Sequence, residues 1–295
     1  MKCPSYWIAA HLTSIFEIRD QSSNILEKGS RGAGISIQRG VTTSISDNEK
    51  KEPEIHFNNI NQPLSDSMVS VQVMNLLLPP EEQQHFIISH SFDIPIGGGF
   101  GASAAGALGT AFCINDFFGL KYNELTLYQI AHKSEILTRS GLGDVIGLYQ
   151  GGLEIRIREG APGYGETIGI KLDQKWKIAT ISFGGLPTSS VLSDYNKRLR
   201  VNSTGAVLID QLLLNPVFSN FVILANKFTL GVQLWSERVK NIISNLPSNV
   251  NGSQIMLGDA ILLCYQNNDD LNCLNLNSDL IRQEEICYKT LQRLS

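Results

Sequence analysis

Apolar and polar residues alternate from Phe86 to Ile94. Phe86, Ile88, His90, Phe92 and Ile94 fall in one set, and Ile87, Ser89, Ser91 and Asp93 in the other. A period of two predicts a strand. After a glycine-rich interval, apolar residues recur at helical spacing from about Ser103 to Phe118. Asn123 is placed to cap a further helix reaching about Thr138. Leu64, Met68, Val71 and Leu78 suit one face of an earlier helix, which Pro79-Pro80 would end. Residues 6–19 read as strand, turn, strand. Residues 29–34 read as a small-residue loop before Ile35, Ile37 and Val41, and residues 47–54 as an exposed hairpin tip. Leu153, Ile155 and Ile157 alternate with Glu154, Arg156 and Arg158, which predicts a strand with one wet face.

A glycine- and proline-rich break at residues 160–165 precedes a second alternating run, Trp176 to Phe183. Helical patterns follow near 190–200, 203–214 and 215–245, then a polar loop at 245–252. The apolar segment 253–266 fits no single type, residues 267–277 read as a loop, and the tail from 278 to 294 reads as helical. The expected division is an N-terminal domain, 1–172, and a C-terminal domain, 173–295.

Composition narrows the function classes. At 295 residues the chain can bury a large core. A net charge of -4 gives no reason to expect nucleic acid or an anionic membrane as partner. No apolar run reaches the ~18 residues of a membrane span. The five cysteines form no C-x-x-C pair, which suggests reduced thiols, a cytoplasmic location and no zinc site. A small-molecule substrate is the expected partner, and a homodimer is a possible assembly.

The segment Pro95-Ile96-Gly97-Gly98-Gly99-Phe100-Gly101-Ala102-Ser103-Ala104-Ala105 carries the strongest chemical signal. Strand, glycine loop and helix in that order make a cradle for phosphates. Glycine lets the backbone approach a ligand, and the helix start offers free N–H groups. A Walker loop needs Lys before Ser or Thr, and no lysine lies between Asp93 and Leu120. A Rossmann loop fits formally as Gly97-x-Gly99-x-x-Ala102. Its acidic partner would be Asp116, which sits inside a continuing helix pattern. The third option is the GHMP kinase loop, P-x-x-x-G-L-G-S-S-A-A, matched here by Pro95, Gly99, Phe100, Gly101, Ala102, Ser103, Ala104 and Ala105.

A second constellation lies at residues 131–144. Glu135, late in a helix, is followed nine residues on by Asp144 in the glycine-bearing loop Ser140-Gly141-Leu142-Gly143-Asp144. Phosphoryl transfer uses one carboxylate for Mg²⁺ and often another to orient or deprotonate the attacking hydroxyl. Such a pair taken alone is more often a solvated helix end. The glycine loop changes that weighting.

Together these motifs, with Gly29-Ser30-Arg31-Gly32-Ala33-Gly34-Ile35, Gly151-Gly152-Leu153 and the opening His11-Leu12-Thr13-Ser14-Ile15-Phe16-Glu17-Ile18, make the chain similar to the archaeal pantoate kinases of the GHMP superfamily. The resemblance covers residues 6 to about 160 well and weakens afterwards, with Met256-Leu257-Gly258 as the best landmark. It implies a two-domain α+β fold with the active site in the interdomain cleft. It also implies ATP and Mg²⁺ as cofactors and phosphorylation of the primary hydroxyl of pantoate to 4-phosphopantoate, on the archaeal route to coenzyme A. By position, Ser103 and Glu135 correspond to metal-holding groups and Asp144 to the base or hydroxyl-orienting group. Pro95, Gly97, Gly98, Gly99, Gly101, Ser103 and Ala104 would form the nucleotide cradle. Pantoate is a carboxylate and needs a cationic or N–H-rich receptor. Arg31 is the first candidate, His11 and Thr13 the second, and Arg139 the third, while His132 reads as structural. The alternatives are a GHMP kinase of another small hydroxy compound (mevalonate- or homoserine-like), a silent nucleotide-binding regulator, and a Rossmann dehydrogenase.

Overall fold

The computed structural model describes residues 3–173, 175–185, 194–272, 274 and 278–295. In chain order the elements are β1 (Ser5–Arg19), β2 (Gly29–Asp47), β3 (Glu54–Phe57), β4 (Ile60–Gln62), α1 (Met68–Leu77), β5 (Phe86–Phe92), α2 (Ala102–Phe118), α3 (Glu124–Thr138), α4 (Asp144–Gln150), β6 (Leu153–Arg158) and β7 (Glu166–Ile170). There follow β8 (Lys177–Gly185), α5 (Tyr195–Leu214), α6 (Phe218–Val232), α7 (Glu237–Ser244), β9 (Asn251–Gln254), β10 (Gly258–Tyr265), β11 (Ile281–Glu284) and β12 (Leu291–Arg293).

Eight strands form one sheet in the order β12-β1-β2-β5-β3-β4, with β6 and β7 branching from β2. The branch arises because β2 is long enough to serve two partners. Its first part, Gly32–Ile35, pairs with Leu153–Arg156, and its second part, Val41–Asp47, pairs with Phe86–Phe92. Ala-rich α2 packs on β1 and β2 and is flanked by α1 and α3. Its Ala104, Ala105, Ala107 and Ala111 are fully buried, and small side chains let the helix sit close to the sheet. Gly119, in the left-handed region, ends α2, and the side chain of Asn123 caps α3 by accepting from Thr126 N–H.

The second sheet is antiparallel, in the order β11-β8-β10-β9. Its Ile181, Ile261 and Leu263 pack with Val239 and Ile243 of α7 in a small separate core. Helices α5 and α6 instead pack on β1, and their Val201, Leu208, Phe221 and Phe228 join the main core. The class is α+β, as expected. We propose the domain boundary near residue 172, because the strands of the second sheet start at Lys177; β12 crosses back to pair with β1.

Several sequence expectations are corrected. Residues 6–19 form one continuous strand, since β1 has β2 beside it along its length and two register shifts absorb the irregularity. Residues 29–34 are strand and not loop, because their small residues are paired with β1. Residues 47–54 link β2 to β3 without a hairpin, since both strands pair with β5. The polar face of β6 is dry over most of its length: Glu154 and Arg156 are fully buried, and only Arg158 at its end is exposed. Residues 203–214 belong to one helix with 195–202, and 215–245 divides into α6 and α7. Of the helix expected near 190–200, residues 190–193 lie outside the described residues and 195–200 are helical. The segment 253–266 is the end of β9, a turn at Met256-Leu257, and β10, and the tail holds two short strands in place of an α-helix, because Ile281–Glu284 and Leu291–Arg293 complete the edges of the two sheets.

Candidate active site

The turn between β5 and α2 makes the floor of a cavity of about 440 Å³. Gly97, Gly99, Gly101 and Ser103 line it, while Pro95, Gly98 and Ala104 do not. Gly99 and Gly101 have φ of 83° and 66°, a conformation glycine adopts without strain. Gly101 precedes the first turn of α2, and no side chain caps that turn, so its N–H groups stay available to an anion. The loop is anchored from both sides. His11 N–H donates to Phe100 carbonyl at 3.1 Å, and Met256 N–H donates to Thr13 carbonyl at 2.9 Å, which brings the Met256-Leu257-Gly258 turn against the loop.

Of the two acidic residues singled out by sequence, Asp144 lines this cavity, while Glu135 does not and lies buried behind Gly141. Glu135, on the last turn of α3, is 2% exposed. Its Oε1 accepts from Ser140 Oγ at 2.6 Å, and its Oε2 is buried with no hydrogen-bond partner among the described residues. Burial pushes its pKa up to about 7, with the hydroxyls of Ser140 and Ser103 partly opposing and the charge of Asp144 adding to the rise. Asp144 opens α4 from across Gly141. A side chain at Gly141 would collide with Glu135 Oε2 and come within 3.6 Å of Asp144 Oδ2, so the two carboxylates face one small space.

Asp144 is held quite differently from Glu135. Its Oδ1 lies 2.8 Å from His11 Nδ1 and accepts from Thr13 Oγ1 at 3.3 Å. Burial would raise its pKa, but the hydrogen bond and charge of His11, the charge of Arg156 and the Thr13 hydroxyl outweigh that and lower it. Behind His11, Nε2 lies 3.2 Å from Glu154 Oε2, and Glu154 Oε1 accepts from Arg156 Nη1 at 2.5 Å. His11, Glu154 and Arg156 are each 0% exposed.

The expected carboxylate receptors divide. Arg31 does not line the cavity. In a strand, successive side chains point to opposite faces, and Arg31 points to the far one. There it bonds Glu17 Oε2 at 3.1 Å, Asp210 Oδ1 at 2.6 Å and the Ile157 carbonyl at 3.1 Å. His11 is sealed below the surface, so it reaches a substrate only through Asp144. Thr13 and Arg139 do line the cavity, and among the described residues Arg139 is the one Lys or Arg side chain that does. His132 is buried, bonds the Lys28 carbonyl at 2.9 Å and has a pKa lowered by burial to about 4, in keeping with a structural role.

Three groups are not evident from the sequence pattern. Ser30 lines the cavity on the face of β2 opposite to Arg31. A side chain at Gly143 would collide with Ser30 Oγ and come 2.8 Å from Arg156 Nε, which has no partner among the described residues. Ser30, Gly143 and Arg156 therefore converge. The period-two pattern of β6 contains the signal for Glu154 and Arg156, but charged residues at alternate positions suggest a wet face. At the other end, Phe57, Met68, Val69, Phe92 and Ile96 give apolar walls that no motif announces.

Known proteins fit this arrangement. The N-terminal domain of GHMP kinases matches residues 70–152. Pantoate kinase from Thermococcus kodakarensis is 31% identical over 280 residues, spanning 93% of this chain and 91% of that one. The chain belongs to the pantoate kinase family. Pantoate kinase from Methanocaldococcus jannaschii is 32% identical over 265 residues, spanning 88% and 92%. A solved structure of a phosphotransferase related to the CoA biosynthesis pathway superposes with a TM-score of 0.87 at 26% identity, covering 99% of both chains. A kinase family implies ATP, and the glycine loop and α2 start supply what its phosphates need. The Rossmann alternative is thereby excluded. Among the described residues no three His, Cys, Asp or Glu side chains come together as a metal cage, and no helix is long and apolar enough to cross a membrane.

Proposed function

We propose that this protein transfers the γ-phosphoryl group of ATP to the primary hydroxyl of pantoate, giving 4-phosphopantoate. The observation that carries the reading is that Ser103 and Asp144 line the cavity with Glu135 buried beside both, in a chain that matches pantoate kinases over nearly its whole length. The adenine would lie between Phe57, Phe92, Met68, Val69 and Ile96, and the phosphates would cross Gly97–Gly101 to the start of α2.

The residues also fit Mg²⁺. A hard cation that keeps phosphate and water ligands needs only one or two protein oxygens. Glu135 Oε2 is a buried acceptor without a partner among the described residues, and Ser103 Oγ faces the same carboxylate. These two atoms would hold the ion, which neutralises charge on the transferring phosphoryl group. Asp144 Oδ2 would accept from or align the attacking hydroxyl. Phe16, Leu142, Met256 and Leu257 line the same half of the cavity and suit the dimethyl carbon of pantoate. For its carboxylate, the cavity offers the Ser30 hydroxyl with the Arg156 charge beneath it, and Arg139 at the rim.

A cytoplasmic location and freedom from nucleic-acid partners agree with the net charge of -4 and free cysteines. A homodimer remains part of the proposal without a surface assigned to it. The deciding experiment is ADP release measured with pantoate, mevalonate, homoserine and shikimate, with the product identified by mass spectrometry. Pantoate as the preferred acceptor supports the reading; preference for another alcohol overturns the substrate and leaves the kinase. ADP release with none of them, from a protein that binds ATP, points to a silent regulator.

A further inference from the structure

His11 occupies a slot built around it. Its ring lies between Gly34 of β2 and Gly147 of α4, and a side chain at either position would collide with the imidazole. Its two nitrogens each meet a carboxylate: Nδ1 lies 2.8 Å from Asp144 Oδ1 and Nε2 lies 3.2 Å from Glu154 Oε2. A neutral imidazole has one N–H and could satisfy only one of them; an imidazolium donates to both. Asp144 approaches from α4, Glu154 from β6 with Arg156 Nη1 bonded to it, and the phosphate loop offers backbone; β2 offers Gly34 and the cross-strand partner Ser36, whose buried hydroxyl bonds neither ring nitrogen nor carboxylate. The charges thus alternate along the run of contacts: Asp144, His11, Glu154, Arg156.

We propose that His11 is a positioning residue, a buried imidazolium that fixes Oδ1 of Asp144 and so turns Oδ2 toward the attacking hydroxyl. The proposal deepens the kinase reading and rests on it. The geometry divides the carboxylate: Oδ1 is taken by His11 and Thr13, while Oδ2 faces Gly141 and the cavity. An anion locked to a cation on its inner side is a weak base and a well-aimed acceptor. Asp144 therefore aligns the hydroxyl more than it deprotonates it. Burial would lower the His11 pKa, but the charge of Glu154 and the hydrogen bonds to both carboxylates raise it to about 9, in agreement.

The first test needs no change at the site. In the full-length protein carrying His56→Gln, which removes the other histidine that touches a carboxylate, ring nitrogen-15 NMR at pH 8 is expected to show one histidine protonated on both nitrogens. Finding none overturns the proposal. This readout is independent of the acceptor, so a failure of pantoate as substrate would leave it standing. The second test is kinetic. His11→Gln is expected to lower kcat about 10- to 100-fold with both KM values within about threefold, because orientation and not binding is lost. The acid limb of its pH–rate profile should move up as Asp144 loses its cation. Glu154→Gln leaves the imidazole one carboxylate, and its alkaline limb should move down from about pH 9. Unchanged kcat and pH profile in folded His11→Gln overturn the positioning role, as does an unmoved alkaline limb in folded Glu154→Gln.

Discussion

Ser140 Oγ donates to one oxygen of Glu135 at 2.6 Å and leaves the other, Oε2, buried and without a partner among the described residues. A carboxylate half satisfied in this way costs stability whenever it is ionised. Its pKa is near 7 in the fold against 4.5 unfolded. Between those values the folded chain holds the proton that the unfolded chain has released. Stability therefore falls as pH rises from about 4.5 to 7, and the full penalty, of order 3 kcal/mol, persists above that. Glu135→Gln removes the ionisation. It should raise Tm at pH 8 without metal, flatten this part of the pH dependence, and abolish the extra Tm gained from Mg²⁺ with ATP. Thermal melts at pH 5 and pH 8 check all three, and an unaltered Mg²⁺ effect would remove Glu135 from the metal.

Asp144→Asn keeps the shape and loses the charge that faces both His11 and the hydroxyl. The expected result is a fall in kcat of about 100-fold, toward the lower end for a lost acid–base group, with affinities little changed. Because His11 and Arg156 depress the pKa of Asp144, its own ionisation should put no break in the wild-type rate across neutral pH when Mg²⁺ and ATP are saturating. Steady-state kinetics from pH 5.5 to 9 test this. A loss under about tenfold would deny Asp144 a part in aligning the hydroxyl, and a loss of ATP binding would place it beside the metal.

Gly101 combines a φ of 66° with close packing: an added Cβ would lie 3.1 Å from the His11 carbonyl. Gly101→Val adds strain and bulk where the phosphates pass. ATP affinity, read by calorimetry, should drop at least about 100-fold, an outcome of steric exclusion and a displaced loop. A folded variant with wild-type affinity would contradict the phosphate-loop assignment.

The two arginines should separate cleanly. Arg31 bonds Glu17 and Asp210, away from the cavity, whereas Arg139 lines it. Arg31→Ala strips one cation from the buried Glu17, which keeps Arg19 at 2.7 Å, and should lower Tm with both KM values within about threefold. Arg139→Ala should leave Tm nearly unchanged and raise the KM of a bound anion about tenfold. The reverse pattern would restore Arg31 as the carboxylate receptor.

Motifs with local geometry are legible in the chain itself. The run Pro95–Ala105 dictates its own turn, because left-handed glycines and a free helix start are properties of a few adjacent residues. The succession of β5 and α2, the Asn123 cap on α3 and the spacing of Glu135 from Asp144 are local in the same sense. The tail and residues 29–34 defeat such reasoning because their conformation is imposed by partners far away. Leu291–Arg293 is strand only since β1 offers an open edge, and Gly29–Gly34 only since β1 runs beside it.

Short spacings along the chain suffice for the family, and they single out the glycine loop, Ser103, Glu135 and Asp144 as its candidate site. What surrounds those residues is set by folding. Period-two patterning tells which residues of β6 share a face but not whether that face meets water. Here it is dry at Glu154 and Arg156, which become part of a buried ion chain, and wet at Arg158. The same burial moves His11 from a candidate substrate contact to the back of Asp144. Charge, solvation and pKa depend on distances between residues 11, 144, 154 and 156, which a linear order does not contain and a folded sheet brings within hydrogen-bond reach.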